Sequence, residues 1–296
     1  MNYEYKPIDF LKELADIPAP GEEKVFATGF PMLDAHGIRL QKGKFATMVG
    51  PYGSGKSILA RQLACNMARL HGWQTLLTAF EEKVKWRMVR QLRWNFHVFG
   101  DRGELFSSAG DPSEVEQVLL DKRIHEHFKF LVRPPSILMD QMQLLNSIRF
   151  AAEKYNLDMV IVDPVNEIDH HIPRGMSRTD YMGDFIMSLK AIAHDHDVLV
   201  MVCVHPPKAD NANRRKHFFT LNDAADSAHY GNKSDFGWAA WRPHWDAPTF
   251  LNIDKIKDHE LCGKPDLFEM ELRGERIFVP VSSGRNALER WEQEAS

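Results

Sequence analysis

Apolar residues along this chain follow two rhythms. Short runs at Phe45 to Val49, Gln74 to Phe80, Phe128 to Val132, Asp158 to Val162 and residues 198–204 read as buried strands. Between them the apolar positions recur at helical spacing. Ile58, Leu59, Leu63, Ala64, Met67, Ala68 and Leu70 form one such face, and further helices are predicted over 83–97, 114–127, 136–155 (with Ser136 as its cap) and 178–196. This alternation predicts a largely parallel sheet covered on both faces. From residue 236 the pattern changes to strands alone, over 236–242, 249–256, 267–273 and 276–281, as expected for antiparallel strands added at one sheet edge. The predicted fold class is therefore α/β, with a mostly parallel central sheet and antiparallel C-terminal edge strands. No internal repeat or low-complexity tract divides it, so one domain is expected.

Upstream, Ile8, Leu11, Leu14 and Ile17 would share one stripe of a short helix, and Pro18-Ala19-Pro20-Gly21 would break it. A ten-residue helix is not stable alone in water. The stripe must dock, either on its own domain or on a neighbouring subunit with the Pro/Gly segment as a strap.

The first strand-to-helix junction carries the most specific chemistry. Gly50-Pro51-Tyr52-Gly53-Ser54-Gly55-Lys56-Ser57 fits G-x-x-x-x-G-K-[ST] between a strand and a helix. Glycines there let backbone N–H groups turn onto phosphate oxygens, and the helix N-terminus adds positive potential. Lys56 is placed to reach the β- and γ-phosphates, and the Ser57 hydroxyl to ligate Mg²⁺. The pattern predicts binding of a nucleoside triphosphate.

Other strand tips supply the partners such a site needs. Met159 to Val162 ends in Asp163, an acid at the strand end where α/β sheets bind ligands. Beside the phosphate loop it would hold the Mg²⁺ water shell. Glu81 is the candidate to orient the attacking water, because it ends a strand expected next to the phosphate-loop strand; Glu82 and Glu167 compete for that role. His205 ends the strand over 198–204 and can hydrogen-bond a γ-phosphate and report its loss to the following loop. That loop, Pro206 to Thr220, carries Lys208, Arg214, Arg215 and Lys216 against one acid, Asp210, with His217, Phe218 and Phe219 alongside. Cations beside aromatics suit a single-stranded nucleic-acid backbone. The pairs His170-His171 and His194-x-His196 lack a third ligand at a familiar spacing, so no structural metal is expected.

Composition narrows the setting. The chain has 296 residues, a formal net charge of −4 and 26% charged residues, so no global basic field recruits nucleic acid and any such contact must be local. Three cysteines in no paired motif suit a reducing compartment. There is no signal-like start and no apolar run of about 20 residues, so a cytoplasmic protein without a membrane partner is expected, in a bacterial or phage-infected cell.

The ordered series of motifs resembles the helicase domain of the DnaB-like, RecA-fold ring helicases, most closely the Twinkle and phage primase-helicase branch. It runs from about Thr28 to Val281. It rests on Thr28-Gly29, Gly50 to Ser57, Phe80-Glu81-Glu82, Val162 to Ile168, Val204 to Lys208, Ser227 to Asp235, Lys255-Ile256-Lys257 and Gly263-Lys264-Pro265. The resemblance implies a RecA-like P-loop NTPase core in a homohexameric ring, with ATP between subunits and single-stranded DNA in the pore. It implies that Gly50 to Ser57 bind ATP, Ser57 and Asp163 serve Mg²⁺, Glu81 is the catalytic base and His205 the γ-phosphate sensor. Lys208, Arg214, Arg215 and Lys216 would contact DNA. Asn232 falls where the family often has a Gln that links nucleotide to DNA. Lys255 begins what is usually Lys-x-Arg, whose Arg reaches the next subunit's nucleotide. Here Lys257 stands in that place, keeping charge but losing the planar fork, with Arg242, Arg273 and Arg276 as candidates to substitute. Twinkle-like relatives carry a primase-like domain upstream, whereas about 27 residues precede the match. No primase activity is expected, residues 1–27 are read as linker helix and strap, and a separate primase or loader is a candidate partner. The resulting expectation is an ATP-driven helicase translocating on single-stranded DNA; the alternative is a RecA-like ATP-binding, regulatory or filament-forming module without unwinding.

Overall fold

The computed structural model describes residues 23–80, 87–99, 111–132, 139–207, 219–225, 228–274 and 276–295. The turn-rich lead-in folds into β1 (Phe26–Ala27), α1 (Pro31–Ala35) and β2 (Arg39–Leu40), with β1 and β2 antiparallel. Then come β3 (Phe45–Val49), α2 (Lys56–His71), β4 (Thr75–Ala79), α3 (Arg87–Val98), α4 (Glu114–His127) and β5 (Phe128–Val132). After α5 (Gln141–Tyr155), β6 (Met159–Asp163), α6 (Arg178–Asp195), β7 (Leu199–Val204) and α7 (Ala228–Lys233), the chain enters β8 (Phe236–Trp241) and β9 (Thr249–Ile256). It finishes with α8 (His259–Cys262), β10 (Asp266–Arg273), β11 (Ile277–Ser283) and α9 (Gly284–Ala295).

Nine strands form one sheet in the order β11-β10-β9-β8-β3-β7-β6-β4-β5. From β8 to β5 all pairings are parallel, and β8 to β11 are joined antiparallel, as the change of rhythm at residue 236 predicts. Period-two alternation sorts each central strand onto two apolar layers. Ala46, Met48, Met159, Ile161, Met201 and Cys203 face one layer, packed with Leu59, Leu63 and Met67 of α2. Phe45, Val49, Val160, Val162, Val200 and Val202 face the other, packed with Leu144 and Ile148 of α5 and Phe185 and Leu189 of α6. Strands covered on both sides must be apolar throughout, which is why these runs carry almost no polar residue.

Three expectations are corrected. β4 is not next to the phosphate-loop strand: β7 and β6 lie between them, and β6 itself is separated from β3 by β7. The cap of α5 is Asp140, not Ser136, which lies outside the described residues. Asp140 accepts from the Gln143 N–H at 2.8 Å while the Gln143 side chain accepts from the Asp140 N–H, a complete capping box. The C-terminal strands are also not alone. α9 buries Ala287 and packs Trp291 5.7 Å from Trp241, an anchor of two residues on an otherwise charged helix.

Candidate functional site

Parallel strands bring their C-terminal ends to one rim. Val49 pairs with Val204, Val162 with Val202 and Ala79 with Asp163, so the residues following them meet there. The phosphate loop leaves β3 through Gly53 (φ 77°) and Gly55 (φ 92°), both in the left-handed region that glycine adopts without strain. A Cβ on Gly55 would also lie 2.5 Å from the Phe278 ring. Gly55 caps α2 with no side chain bonded to its first turn, so the N–H groups there remain directed at the cleft. The Ser54 hydroxyl is buried and lacks a hydrogen-bond partner among the described residues.

Lys56 is 5% exposed. Its ammonium folds back onto its own loop, donating to the carbonyls of Gly50 at 2.5 Å and Pro51 at 3.0 Å, and sits 3.2 Å from His205 Nδ1. A buried ammonium needs such partners, and phosphate oxygens can replace them at little cost. The His205 ring stacks on Tyr52 with centroids 3.8 Å apart and planes at 18°, while its backbone N–H donates to Asn166 Oδ1 at 3.0 Å. The sensor candidate therefore touches both the phosphate loop and the turn after β6.

Asp163 is 8% exposed and its backbone N–H donates to Thr78 Oγ1 at 3.1 Å, tying β6 to β4. Burial pushes the Cys203 thiol well above its usual range, with the Asp163 carboxylate adding to the shift and Lys56 and Arg61 opposing it. Cys203 is an inert spacer between β3 and β6 in their shared field. The oxygens of Ser57 and Asp163 are hard donors suited to Mg²⁺, which takes few protein ligands and completes its shell with phosphate and water. No cluster of three or more His, Cys, Asp or Glu side chains is present among the described residues, so protein groups alone make no metal cage there. The donor set fits a metal that arrives with nucleotide.

Around the loop lies a cleft of about 1190 Å³. Beyond the loop it is lined by Arg61 of α2, Arg87 and Arg90 of α3, and Arg242, Trp245 and Arg276 from the antiparallel side. Sequence reasoning missed Arg61, Arg87, Arg90 and Trp245; only Arg61, four residues after Ser57, carries a readable signal, since that spacing puts it on the same helix face. Arg242 and Arg276 line the chain's own cleft, and Arg273 is paired with Glu271 at 2.8 Å. The first two are thus cis elements of this site. Arg242 donates to Thr249 Oγ1 at 3.0 Å, and desolvation holds its guanidinium below its ordinary pKa.

Asn232, Lys255 and Lys257 are not at this rim. The Asp235 N–H donates to the Phe45 carbonyl at 2.8 Å and the Lys257 N–H to the Asp235 carbonyl at 2.9 Å, which ties them to the beginning of β3. The length of β3, roughly 15 Å at about 3.3 Å per residue, separates them from Gly50. Within one chain Asn232 and Lys255 therefore do not bind the nucleotide held by Lys56, because β9 runs antiparallel and delivers its end to the opposite pole. Lys255 donates to the carbonyls of Gly231 at 2.7 Å and Asn232 at 3.3 Å. Lys257 is 69% exposed and 3.7 Å from Asp235 Oδ1. Glu167 closes the 3-10 turn Val165–Glu167 and is not among the residues lining the cleft. Glu81, Glu82, Lys208, Arg214, Arg215, Lys216 and the stripe over residues 8–17 lie outside the described residues.

Comparison with known proteins agrees with this architecture. The AAA domain family matches residues 36–211, more than half of the chain. The Twinkle homolog protein, chloroplastic/mitochondrial, of Arabidopsis thaliana is 25% identical over 224 residues, covering 73% of this chain and 30% of that protein. The chain thus spans about a third of the length of that relative. Two solved structures share the fold over 92% of the chain. One, of a DnaB-like replicative helicase studied with its interactions with primase, has a TM-score of 0.67 at 16% identity over 67% of its length. The other, an ATPase domain solved by itself, has a TM-score of 0.66 at 17% identity over 96% of its length. The chain belongs to the AAA domain family and carries the RecA-like fold of DnaB-like helicase ATPase domains.

Proposed function

We propose that this chain is an ATP-driven helicase motor that assembles as a homohexameric ring, translocates on single-stranded DNA and unwinds duplex during replication. The observation that carries the reading is the meeting of Lys56, His205 and Asp163, from three different strand ends, at the uncapped start of α2. In this reading residues 28–296 form the ATPase unit and residues 1–27 link it to a neighbouring copy.

Ser57 and Asp163 would hold Mg²⁺, which when bound bridges the β- and γ-oxygens and offsets their charge. On binding of ATP, Lys56 exchanges the Gly50 and Pro51 carbonyls for phosphate oxygens. His205 then loses its contact with the ammonium and turns to the γ-phosphate. Glu81 orients the attacking water. When the γ-phosphate leaves, His205 returns to Lys56, and the change passes into the loop that follows, whose Lys208, Arg214, Arg215 and Lys216 grip the DNA backbone. Lys255 and Lys257 would act on the nucleotide of an adjacent copy, because the span of β3 keeps them from their own.

Hydrolysis of ATP by the full chain, with and without single-stranded DNA and with particle mass recorded in parallel, tests this. Closed six-chain particles and strand-stimulated hydrolysis are expected. Substituting Arg214, Arg215 and Lys216 together by Ala should remove the stimulation and leave basal hydrolysis within about twofold. Hydrolysis indifferent to DNA, from particles that do not close, would instead favour a RecA-like module without unwinding.

A further inference from the structure

Helix α2 carries a charge that the mechanism above does not use. Arg61 follows Ser57 by four residues, one turn along the same face. Its side chain is 7% exposed, and its guanidinium Nη2 lies 3.5 Å from Asp163 Oδ2. Nη1 donates to Gln91 Oε1 at 3.3 Å, and Gln91 in turn donates to the Ile58 carbonyl at 3.0 Å. Arg61 also lines the cleft together with Lys56, Ser57 and His205.

Packing does not require this guanidinium. Leu59, Leu63 and Met67 already fill the layer between α2 and the sheet, and an aliphatic residue at 61 would avoid the cost of desolvating a cation. The contact with Asp163 is also at the long limit of hydrogen bonding, unlike a tight paired fork. Charge at this place, held loosely against a strand-end acid suited to a metal, is what remains to be explained.

We propose that Arg61 is a built-in counter-cation of the phosphate site: it neutralises Asp163 before nucleotide arrives and sets how strongly triphosphate binding depends on divalent metal. The inference rests on the triphosphate reading of the loop. Two effects point the same way. Arg61 and a divalent cation compete for the same carboxylate and repel one another, so metal is held less tightly than with a neutral residue at 61. In the absence of metal, the guanidinium still contributes positive potential to the cleft that receives the phosphates. Both reduce the advantage that metal gives to nucleotide binding.

The test is the affinity of the full chain for a fluorescent, non-hydrolysable ATP analogue, measured once in Mg²⁺ and once in EDTA. The ratio of the two dissociation constants, EDTA over Mg²⁺, is the readout. In Arg61→Leu it is expected to rise by about tenfold or more, while Arg61→Lys, which keeps the charge, stays within about threefold of the parent chain. Arg61→Gln, polar but neutral, is expected to rise as the leucine variant does and replaces it if that variant fails to fold. A ratio that is unchanged or lower in a folded neutral variant overturns the role of Arg61 alone. A parent chain that binds no analogue in either condition overturns the triphosphate reading and this inference with it.

Discussion

The two ends of β3 each gather cations, and they hold them differently. At its C-terminal end Lys56 is buried and satisfied by two loop carbonyls, a provisional arrangement that phosphate oxygens can take over. At its N-terminal end Lys190 and Lys257 converge on Asp235, which is 4% exposed and also accepts the Phe45 N–H at 3.0 Å. Lys233 donates to the Gly183 carbonyl and Lys255 to that of Gly231, each at 2.8 Å or less. Desolvation holds the Lys255 ammonium below its ordinary pKa, with Lys190 and Lys257 lowering it further against the pull of Asp235. The first pole is a complete phosphate site within one chain. The second is a cationic surface fixed to the same strand, too far from its own loop to serve it. One strand thus links a site to the surface that would complete another copy's site.

The sharpest way to break this contrast is at the first pole. Lys56→Ala should reduce ATP hydrolysis by about a hundredfold or more, with the thermal midpoint little changed; a variant retaining most of its activity would show that the ammonium does not serve phosphate. Next comes the organiser of the second pole. Asp235→Asn removes the charge facing Lys190 and Lys257 and weakens an acceptor of the Phe45 N–H, so a loss of roughly 2 kcal/mol is expected, a fall in Tm of about 4–8 °C. Calorimetry checks it, and an unshifted midpoint would mean that β8 and β9 hold the pole without that carboxylate. The smallest effect belongs to Tyr52, which is 60% exposed and stacked on His205. Tyr52→Ala should weaken nucleotide binding by about threefold, the value of one exposed ring contact, read by analogue titration; no change would make the stack incidental.

Much of this was legible in the residues. Each central strand announces itself because burial on both faces leaves it no polar position, and the phosphate loop because its glycines and Lys56 serve one chemistry at a fixed spacing. Lateral order was not legible. β4, β6 and β7 are apolar runs of similar length, and nothing local records that β7 and β6 intervene between β3 and β4; crossover geometry decides it. The same gap hid the cleft's arginines. Arg87, Arg90, Arg242 and Arg276 come from distant segments and meet only when the antiparallel strands fold over α2 and α3. α9 escaped notice because its buried face is little more than Ala287 and Trp291, too narrow a stripe to read as a core helix.

Mixing two inactive variants tests most directly whether the poles complete one another between copies. Lys56→Ala leaves the lysine pole whole, and the double substitution Lys255→Ala with Lys257→Ala leaves the phosphate loop whole. Combined in equal amounts and allowed to exchange subunits, they should regain hydrolysis well above the sum of the separate preparations, since roughly a quarter of interfaces would then pair an intact loop with an intact lysine pole. Activity no greater than that sum, in particles shown to be mixed, would contradict the account.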